Sequence, residues 1–331
     1  MGNKFDVIII GAGPAGLKCA EQFKYSKISV LLIERKKIIG PKTCAGGLTD
    51  LCYRYDFPES KVRVFNKMMI FIRDKKYEVK LPFPLRTIDR YELGQHLLNK
   101  IKDSKNITIL KETTVREIKR DRVITDKGEF FYKNLVGTDG SSSVVRRFLG
   151  LPSKLSVGMI YKIPQMVNDL KIYFHPKLLE AIYIWIFPHK DHTNIGIGLH
   201  PNSKKMDFRK TKEVLENFLK ENNFTYFEKD FESATLNFCY KGCIFGNIFL
   251  AGDAAGLVSK FKGEGISYAL TSGEEIGKRI INPDYKMPEI NRVLRVKKKE
   301  ERLGKIFENV PFLQEYFLKL YIKFFNKLSS S

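Results

Sequence analysis

The chain has 331 residues, 43% of them hydrophobic and 29% charged. This length predicts about two domains with a sizeable core, and the composition excludes an intrinsically disordered chain. The apolar runs fall short of the roughly 18 residues that a membrane-spanning helix needs, and the first residues do not fit a signal peptide. We therefore expect a cytoplasmic protein.

The formal net charge is +21, and the basic residues are dispersed along the chain. A field of this sign attracts anionic partners, such as an anionic membrane surface or a small acidic electron carrier. The alternative is a lysine-rich, well-solvated surface without a specific partner. The sequence has no nucleic-acid-binding motif, so we expect no nucleic acid partner, and we expect a monomer.

The cysteines number five, which favours reduced thiols over a disulfide framework. Cys239 and Cys243 are separated by three residues, and neither a second close pair nor a nearby histidine completes a zinc site. We expect no metal ion.

The chain begins with an apolar run at 5–10, followed by the loop Gly11-Ala12-Gly13-Pro14-Ala15-Gly16. The run predicts a buried parallel strand. In such a loop the first glycine permits the turn, the second lets the backbone approach a pyrophosphate, and the third lets the next helix pack closely. A second strand at 28–33 ends at Glu34, whose carboxylate can accept hydrogen bonds from a ribose hydroxyl. This unit predicts dinucleotide binding.

The middle of the chain alternates between residue patterns typical of strands and patterns typical of helices. Residues 62–81 alternate as in a β-hairpin that Pro82 and Pro84 end, and 90–103 has the spacing of a helix. Short strands are expected at 107–110, 114–119 and 123–125, and further strands at 170–174, 181–187 and 193–199. Helices are expected at 143–148, 210–222 and 265–281, with a buried strand at 248–253 and helical structure after Pro288.

These elements predict an α/β protein with a Rossmann-like dinucleotide-binding domain and an α+β second domain built on an antiparallel sheet. We assign residues 1–60, 85–150 and 240–285 to the first domain and 61–84 and 151–239 to the second. Residues 286–331 are expected to form a C-terminal helical region.

Two further motifs accompany the glycine loop. Residues 137–146 fit G-x-D-G-x-x-S-x-x-R, and 250–256 read Leu-Ala-Gly-Asp-Ala-Ala-Gly, followed by a Gly-Glu-Gly-Ile segment at 263–266. With these motifs the sequence resembles the FAD-dependent oxidoreductases of the p-hydroxybenzoate-hydroxylase type. The resemblance implies that Asp253 hydrogen-bonds the ribityl chain, and that the helix after Gly265 directs its N-terminal amides at the flavin. Each motif by itself is also compatible with an ordinary turn.

The resemblance implies a set of cofactor-binding residues: Gly11, Gly13, Pro14, Ala15, Gly16, Glu34, Arg35, Cys44, Ala45, Arg90, Val115, Asp139, Gly140, Asp253, Gly263, Gly265 and Ile266. Within this set, Arg90 is expected near the pyrophosphate and Val115 near the adenine.

Two more motifs narrow the family. Residues 41–47 fit P-x-x-C-x-G-G and 183–188 fit Y-x-W-x-F-P, and both are similar to the geranylgeranyl reductase family, flavoproteins that saturate isoprenoid double bonds. The resemblance implies catalytic roles for Cys44, Gly46 and Gly47 in a loop near the flavin ring. Cys44 is a candidate proton donor, or it holds a water that donates; the alternative is a small packing residue.

The aromatic residues of the second motif alternate along one strand. Tyr183, Trp185 and Phe187 therefore point to one side, where they can form a wall against an apolar prenyl chain. The alternative is that they form the core face of the sheet.

The expected reaction is reduction of a prenyl double bond by hydride from reduced FAD and a proton from a positioned acid. NAD(P)H or a reduced electron carrier would supply the electrons. Two alternatives remain: an aromatic monooxygenase on the same fold, and a flavin-bearing membrane-surface protein without turnover. A basic amphipathic helical pattern at 313–328 is compatible with attachment to the cytoplasmic membrane face or with docking on the protein itself.

Overall fold

The structure is a computed structural model that describes residues 2–73, 75–174, 183–199, 207–260 and 263–309, together with 316 and 319. The chain forms two compact units. Unit 1 contains the described residues of 1–41, 91–155 and 236–300, and unit 2 contains those of 42–90, 156–235 and 301–331.

The described strands are β1 Lys4–Ile10, β2 Val30–Ile33, β3 Gly47–Leu48, β4 Val62–Ile72, β5 Lys75–Ile88, β6 Ile107–Leu110, β7 Val115–Ile118, β8 Arg122–Thr125, β9 Gly128–Gly137, β10 Leu155–Ile163, β11 Leu170–Phe174, β12 Tyr183–Pro188, β13 Thr193–Leu199, β14 Phe231–Asn237, β15 Ile244–Phe245 and β16 Ile248–Leu250. The described α-helices are α1 Pro14–Gln22, α2 Arg90–Asn99, α3 Val144–Phe148, α4 Phe208–Glu221, α5 Gly252–Ala255, α6 Ile266–Ile281 and α7 Pro288–Asn309. Short 3-10 helices lie at Asp50–Cys52, Glu59–Lys61 and Glu228–Asp230.

The sheet of unit 1 has the order β15-β16-β9-β1-β2-β6, and β8 pairs β9 and β7 beside this path. Strands β16, β9, β1, β2 and β6 run parallel to one another, whereas β15 and β8 pair antiparallel with β16 and β9. Val7–Ile10 and Val30–Ile33 are buried throughout, as expected for strands that are covered on both faces. This arrangement confirms the predicted Rossmann-like unit.

Helix α6 packs along α1 through two glycines. A Cβ at Gly273 would overlap the backbone of Ala15, and a Cβ at Gly277 would lie 2.6 Å from Cγ of Gln22. The contacts follow the same order along both helices, so α1 and α6 run parallel. Close packing at these positions requires glycine, because any side chain would push the helices apart.

The sheet of unit 2 has the order β14-β10-β13-β12-β11-β4-β5-β3. Strands β11 and β4 pair in parallel, whereas β10–β13, β13–β12, β12–β11, β4–β5 and β5–β3 are antiparallel. Helix α4 covers one face, where Leu215 and Leu219 are fully buried among side chains of β10, β12 and β13. The opposite face carries the aromatic residues described below.

Three expectations about the fold need correction. Strand β5 continues through Pro82 and Pro84 to Ile88, because both prolines lie at a register shift opposite Phe65–Lys67, where the backbone N–H is not needed for pairing. Helix α2 ends at Asn99, four residues before its predicted end.

The third correction concerns the domain bounds. Residues 42–60 belong to unit 2 and not to the dinucleotide unit, because β3 pairs with the end of β5. Residues 286–300 belong to unit 1. The beginning of the strand predicted at 181–187 and most of the predicted amphipathic segment at 313–328 lie outside the described residues.

Candidate functional site

The glycine loop of unit 1 joins the end of β1 to the start of α1. Gly11 has φ 101°, and a Cβ there would lie 2.6 Å from the carbonyl oxygen of Thr138. A Cβ at Gly16 would overlap the Gly11 carbonyl, so these two glycines allow the loop, α1 and the end of β9 to pack closely. A Cβ at Gly13 would meet no atom within 4 Å. The backbone at Gly13 is therefore open to a ligand, as the sequence predicts.

The first turn of α1, with Pro14 and Ala15, contains no acidic side chain. The positive end of the helix dipole is thus not neutralised from within the helix, which favours an anion such as a pyrophosphate at this end.

Glu34 follows β2 and is held by backbone groups. The Ala12 N–H donates to Oε2 at 2.8 Å, and the Lys36 N–H donates to Oε1 at 2.9 Å. Because each carboxylate oxygen can accept more than one hydrogen bond, Glu34 can still accept from a ribose hydroxyl. Arg35, beside it, is exposed, and its side chain is available to an external ligand.

Two residues expected to bind cofactor lie at the start of other elements. Val115 begins β7, is half-buried and pairs with Thr125. Arg90 begins α2, and its Nε is buried without a hydrogen-bond partner within the described ranges. A buried guanidinium donor without an acceptor suits an anionic group.

Asp139 and Gly140 form the turn after β9. The Val144 N–H donates to Asp139 Oδ2 at 2.6 Å, whereas Oδ1 is buried and has no hydrogen-bond partner in the part of the chain that the structure describes. Burial raises the pKa of this carboxyl. Gly140 has φ 82°, which favours glycine in the turn. An acceptor oxygen left over in this way fits a hydroxyl of a bound nucleotide.

Asp253 lies in the short helix α5, directly after β16, beside the start of α6. Gly252 has φ 58°, and its N–H donates to Ser272 Oγ of α6 at 2.9 Å. A Cβ at Gly265, the N-cap of α6, would lie 3.8 Å from Asp253 Oδ1. Gly263 has φ 66°, and Ile266 begins the helix, whose first turn has no acidic residue. The structure therefore brings Asp253 and the N-terminus of α6 together, as expected for a flavin site.

The arginine of the G-x-D-G-x-x-S-x-x-R motif has a role that sequence reasoning did not assign. Arg146 is 1% exposed and donates to the carbonyl oxygens of Pro152, Cys239 and Ala254. Ser143 caps α3 by accepting the Arg146 N–H at 2.9 Å. Arg146 thus connects the Asp139 turn to the helix that contains Asp253. In the sequence, only its position in the G-x-D-G-x-x-S-x-x-R motif indicated that this arginine has a role.

In unit 2, the aromatic residues of β12 occupy the sheet face opposite α4. Tyr183, Trp185 and Phe187 are half-buried, whereas Ile184 and Ile186 are buried in the core beneath α4. The alternative that the aromatic residues form this core face is therefore wrong. Their rings are arranged along the strand, with the centroids of Tyr183 and Trp185 5.9 Å apart.

Strands β13 and β10 have glycines beside this aromatic row. Trp185 pairs with Gly196 of β13, and its ring lies over the Gly196 backbone. Gly158 and Gly198 pair with each other two residues further along the same face. A Cβ at Gly158 would meet no atom within 4 Å. The face thus combines an aromatic row with open space at Gly158, a shape that can accept an apolar chain.

The loop at 41–47 interlocks with β12. Gly46 has φ 77°, and a Cβ there would lie 2.5 Å from Cε1 of His189. A Cβ at Gly47 would lie 2.8 Å from Cε2 of Phe187. The two glycines make room for rings of the second motif and of the turn after it, which explains why both motifs occur together. The structure gives them this packing role.

Cys44 is half-buried in this loop. The Gly46 N–H donates to Cys44 Sγ at 3.4 Å. The other four cysteines, Cys19, Cys52, Cys239 and Cys243, are buried and form no disulfide. Cys44 is therefore the most accessible thiol of the chain.

A histidine pair beside this loop escaped the sequence analysis. The rings of His189 and His192 stack with centroids 4.5 Å apart. His189 Nε2 lies 3.0 Å from the Ala45 carbonyl oxygen. Burial and the nearby His192 lower the pKa of His189 to about 4. The only sequence signal was the short spacing of two histidines after the Y-x-W-x-F-P motif.

Comparison with known proteins agrees with these features. The family described as "Geranylgeranyl reductase catalytic domain" matches residues 159–238, and the family "Glucose inhibited division protein A" matches residues 6–147. An uncharacterized protein of Methanosarcina barkeri is 30% identical over 82% of this chain and 73% of its own length. Digeranylgeranylglycerophospholipid reductase 2 of Methanosphaera stadtmanae is 26% identical over 95% of this chain and 88% of its own length.

Solved structures share the fold. A geranylgeranyl bacteriochlorophyll reductase-like protein of Thermoplasma acidophilum superposes with a TM-score of 0.75, at 19% identity, over 99% of this chain and 90% of that one. A probable FAD-dependent monooxygenase of Pseudomonas aeruginosa superposes with a TM-score of 0.71, at 14% identity, over 99% of this chain and 100% of that one.

The fold and the residues of unit 1 define an FAD-dependent oxidoreductase. The chain belongs to the geranylgeranyl reductase family, as the matches to the catalytic-domain family and to the archaeal relatives show.

Proposed function

We propose that this enzyme saturates carbon–carbon double bonds of a geranylgeranyl-type chain carried by a membrane lipid, a quinone or a prenyl diphosphate. The observation that carries the proposal is the aromatic face of unit 2, interlocked with the Cys44 loop. The relatives named digeranylgeranylglycerophospholipid reductase favour a lipid-borne chain among these three substrates.

The aromatic face suits an isolated alkene, which has no polar group for recognition. Trp185 and Phe187 offer ring surface, and the open space at Gly158 leaves room for a methyl branch of a prenyl chain. Covering this surface with an apolar chain excludes water from the double bond, which favours delivery of hydride to carbon.

FAD, when reduced and bound, supplies the hydride. In unit 1, Asp253, the start of α6 and the Gly13 backbone would hold the cofactor. The buried atom Asp139 Oδ1 of the same unit, which has no partner among the described residues, fits a hydroxyl group of FAD.

The second hydrogen is a proton, and Cys44 is the candidate donor, either directly or through a water that it holds. The accessibility of its thiol supports this role. Two electrons per bond must come from outside, and NAD(P)H or an acidic electron carrier would be drawn to a chain of net charge +21.

The test is mass spectrometry of lipids and quinones from cells with and without the enzyme. We expect species heavier by two hydrogens for each saturated bond in cells that contain it. Identical lipid and quinone profiles would contradict prenyl reduction. Rapid oxygen consumption coupled to hydroxylation of an aromatic compound would indicate a monooxygenase, and bound FAD without either reaction would indicate a protein without turnover.

Membrane attachment is a separate proposal. Among the described helices none is both long and apolar enough to cross a bilayer. We propose that the positive charge of the chain draws it to anionic headgroups, where a lipid-borne prenyl chain would be found.

A further inference from the structure

Behind the Cys44 loop lies a buried polar cluster in unit 2 that consists of His189 and Asn194. His189 is 1% exposed and Asn194 is 4% exposed. Both side chains face backbone carbonyls of the loop, and neither lies within the P-x-x-C-x-G-G or the Y-x-W-x-F-P motif. Burying polar groups this deeply costs free energy unless hydrogen bonds to the fold or the site compensate for it.

Asn194 donates from Nδ2 to the Cys44 carbonyl oxygen at 3.2 Å. It lies in β13 and pairs with Phe187 of the aromatic strand. The amide therefore reaches from the aromatic face to the residue that carries the candidate donor thiol.

His189 reaches the next carbonyl of the loop. Its Nε2 is 3.0 Å from the Ala45 oxygen and 3.0 Å from Asn194 Nδ2, and its Nδ1 is buried without a hydrogen-bond partner in the described part of the chain. A proton on Nδ1 would therefore be a buried N–H without an acceptor, which costs more than an unused lone pair. The tautomer with the proton on Nε2 avoids this cost and donates to Ala45. In this tautomer the approach of Asn194 Nδ2 to Nε2 is a contact between two donors and not a hydrogen bond, and the Asn194 amide donates to the Cys44 carbonyl oxygen.

The imidazole itself is held in place. The His189 ring stacks on His192, whose Nδ1 lies 2.6 Å from Asp191 Oδ1. The His189 N–H donates to the His192 carbonyl at 2.8 Å, closing the turn between β12 and β13. The left-handed Gly46 leaves room for the ring against the loop.

We propose that His189 and Asn194 are positioning residues that hold the backbone on either side of the Cys44–Ala45 peptide and so set the direction of the Cys44 thiol. They act through the loop and touch no reacting atom. The inference rests on the proposed function for its catalytic meaning, since the direction of the thiol matters only if Cys44 helps deliver the proton.

The experiment measures the rate at which iodoacetamide alkylates Cys44 in the FAD-loaded enzyme, by mass spectrometry of peptides. The four buried cysteines serve as an internal reference for unfolding. Four variants are compared with the wild type: His189→Leu, His189→Gln, Asn194→Asp and Tyr161→Phe. Gln can keep an N–H donor at the loop, whereas Leu and Asp cannot. Tyr161→Phe removes a buried hydrogen bond to Glu216 from the opposite, α4-covered face of the same sheet.

We expect loss of either donor to free the loop, so that His189→Leu and Asn194→Asp raise the alkylation rate of Cys44 about threefold to tenfold, as loss of one buried hydrogen bond permits. His189→Gln and Tyr161→Phe should stay near the wild-type rate. Equal rates in all variants, or the same rise in Tyr161→Phe, would overturn the proposal. If His189→Leu does not fold, the comparison uses the other two variants. Asn194→Asp should then raise the alkylation rate of Cys44 while His189→Gln stays near the wild-type rate, and equal rates in both would overturn the proposal.

Turnover separates this inference from the proposed function. With a prenyl substrate, His189→Leu and Asn194→Asp should lower kcat more than they change KM, and His189→Gln should restore kcat. A wild-type enzyme that saturates no prenyl chain would contradict the proposed function. The alkylation rates would still decide whether His189 and Asn194 hold the loop.

Discussion

Arg146 Nη1 donates to the carbonyl oxygen of Ala254 at 2.9 Å, and this bond joins the turn of Asp139 to the helix of Asp253. The two expected FAD contacts lie more than a hundred residues apart in the sequence. A buried guanidinium that satisfies three backbone carbonyls is therefore part of the framework of the cofactor site in unit 1.

The first prediction concerns this framework. Arg146→Met leaves three carbonyls without a donor and should lower the free energy of unfolding by about 2–4 kcal/mol, since hydrogen bonds to charged groups are worth more than neutral ones. FAD content should fall with it. Arg147→Met is the control, because Arg147 is exposed and its guanidinium donates to the nearby Ser142 carbonyl. Thermal unfolding and FAD absorbance report both effects; unchanged FAD content in a folded Arg146→Met variant would contradict the prediction.

The second prediction separates cofactor from substrate positions by two open glycines. Cβ atoms at Gly13 and Gly158 would meet no atom within 4 Å, so both alanine variants should fold normally. Gly13→Ala should weaken FAD binding about tenfold or more, because its Cβ would project from the backbone that approaches the pyrophosphate. Gly158→Ala should leave FAD affinity unchanged. Titration of the apoprotein with FAD, followed by flavin fluorescence, measures both, and equal affinities in the two variants would argue against the cofactor role of Gly13.

The third prediction compares neighbouring residues on the two faces of β12. Ile186→Ala empties a packed core position and should cost about 2–5 kcal/mol of stability. Trp185→Ala should cost less stability, because Trp185 is half-buried, and should instead raise KM for a prenyl substrate. Urea unfolding and steady-state kinetics distinguish the two effects. A Trp185→Ala enzyme with wild-type KM would remove this residue from the substrate face.

The fourth prediction is a dependence of stability on pH. Burial first, and then the nearby His192, lower the pKa of His189 to about 4, below its ordinary value of 6.5, and burial lowers that of His192 as well. Between these two pKa values the unfolded chain binds protons that the folded chain does not. The contribution of the histidines to the free energy of unfolding is therefore fully present above the pKa of the unfolded state, and it is lost as the pH falls toward the pKa of the folded state. Asp89, Asp191 and Lys162 face the pair, and Arg63 donates to the His189 carbonyl.

For His189 alone, the free energy of unfolding should fall by about 2 kcal/mol from about pH 7 to about pH 5. His189→Gln should reduce the loss of stability over this interval without abolishing it, since His192 still contributes. Tyr161→Phe should keep the wild-type slope, because it changes no histidine. Urea unfolding at both pH values gives the comparison, and equal slopes for wild type and His189→Gln would show that His189 is not buried in its neutral form.

The fifth prediction tests attraction to membranes. The enzyme should float with vesicles that contain phosphatidylglycerol and remain unbound with vesicles of phosphatidylcholine alone. Added salt should release it, because screening weakens attraction between exposed charges. Flotation that is independent of lipid charge would contradict electrostatic attachment. A chain cut after Pro311 then tests the basic segment at 313–328, since this shorter chain should lose part of its binding if that segment contributes.

Local patterns in the sequence were sufficient for several elements of unit 1. The apolar run before Gly11, the glycine spacing and the acidic residue at Glu34 predicted a strand, a loop and a helix that the structure confirms. These features depend on contacts within about thirty residues, where backbone geometry and periodicity leave few alternatives. The same local reasoning ended β5 too early, because the register shift against β4 leaves residues 81–84 of β5 unpaired, and both prolines lie in this stretch.

What the sequence determined by itself was the identity of the parts: the dinucleotide loop, the two family motifs and the alternation that gives β12 an aromatic side. Only the tertiary structure decided which side of β12 is core, since helix α4 covers the isoleucines and leaves the aromatic row on the other face. It also decided that Arg146 ties Asp139 to Asp253, and that His189 and Asn194 contact the Cys44 loop. These contacts join residues that are distant in sequence, and burial favours them because an enclosed polar group without a partner costs free energy.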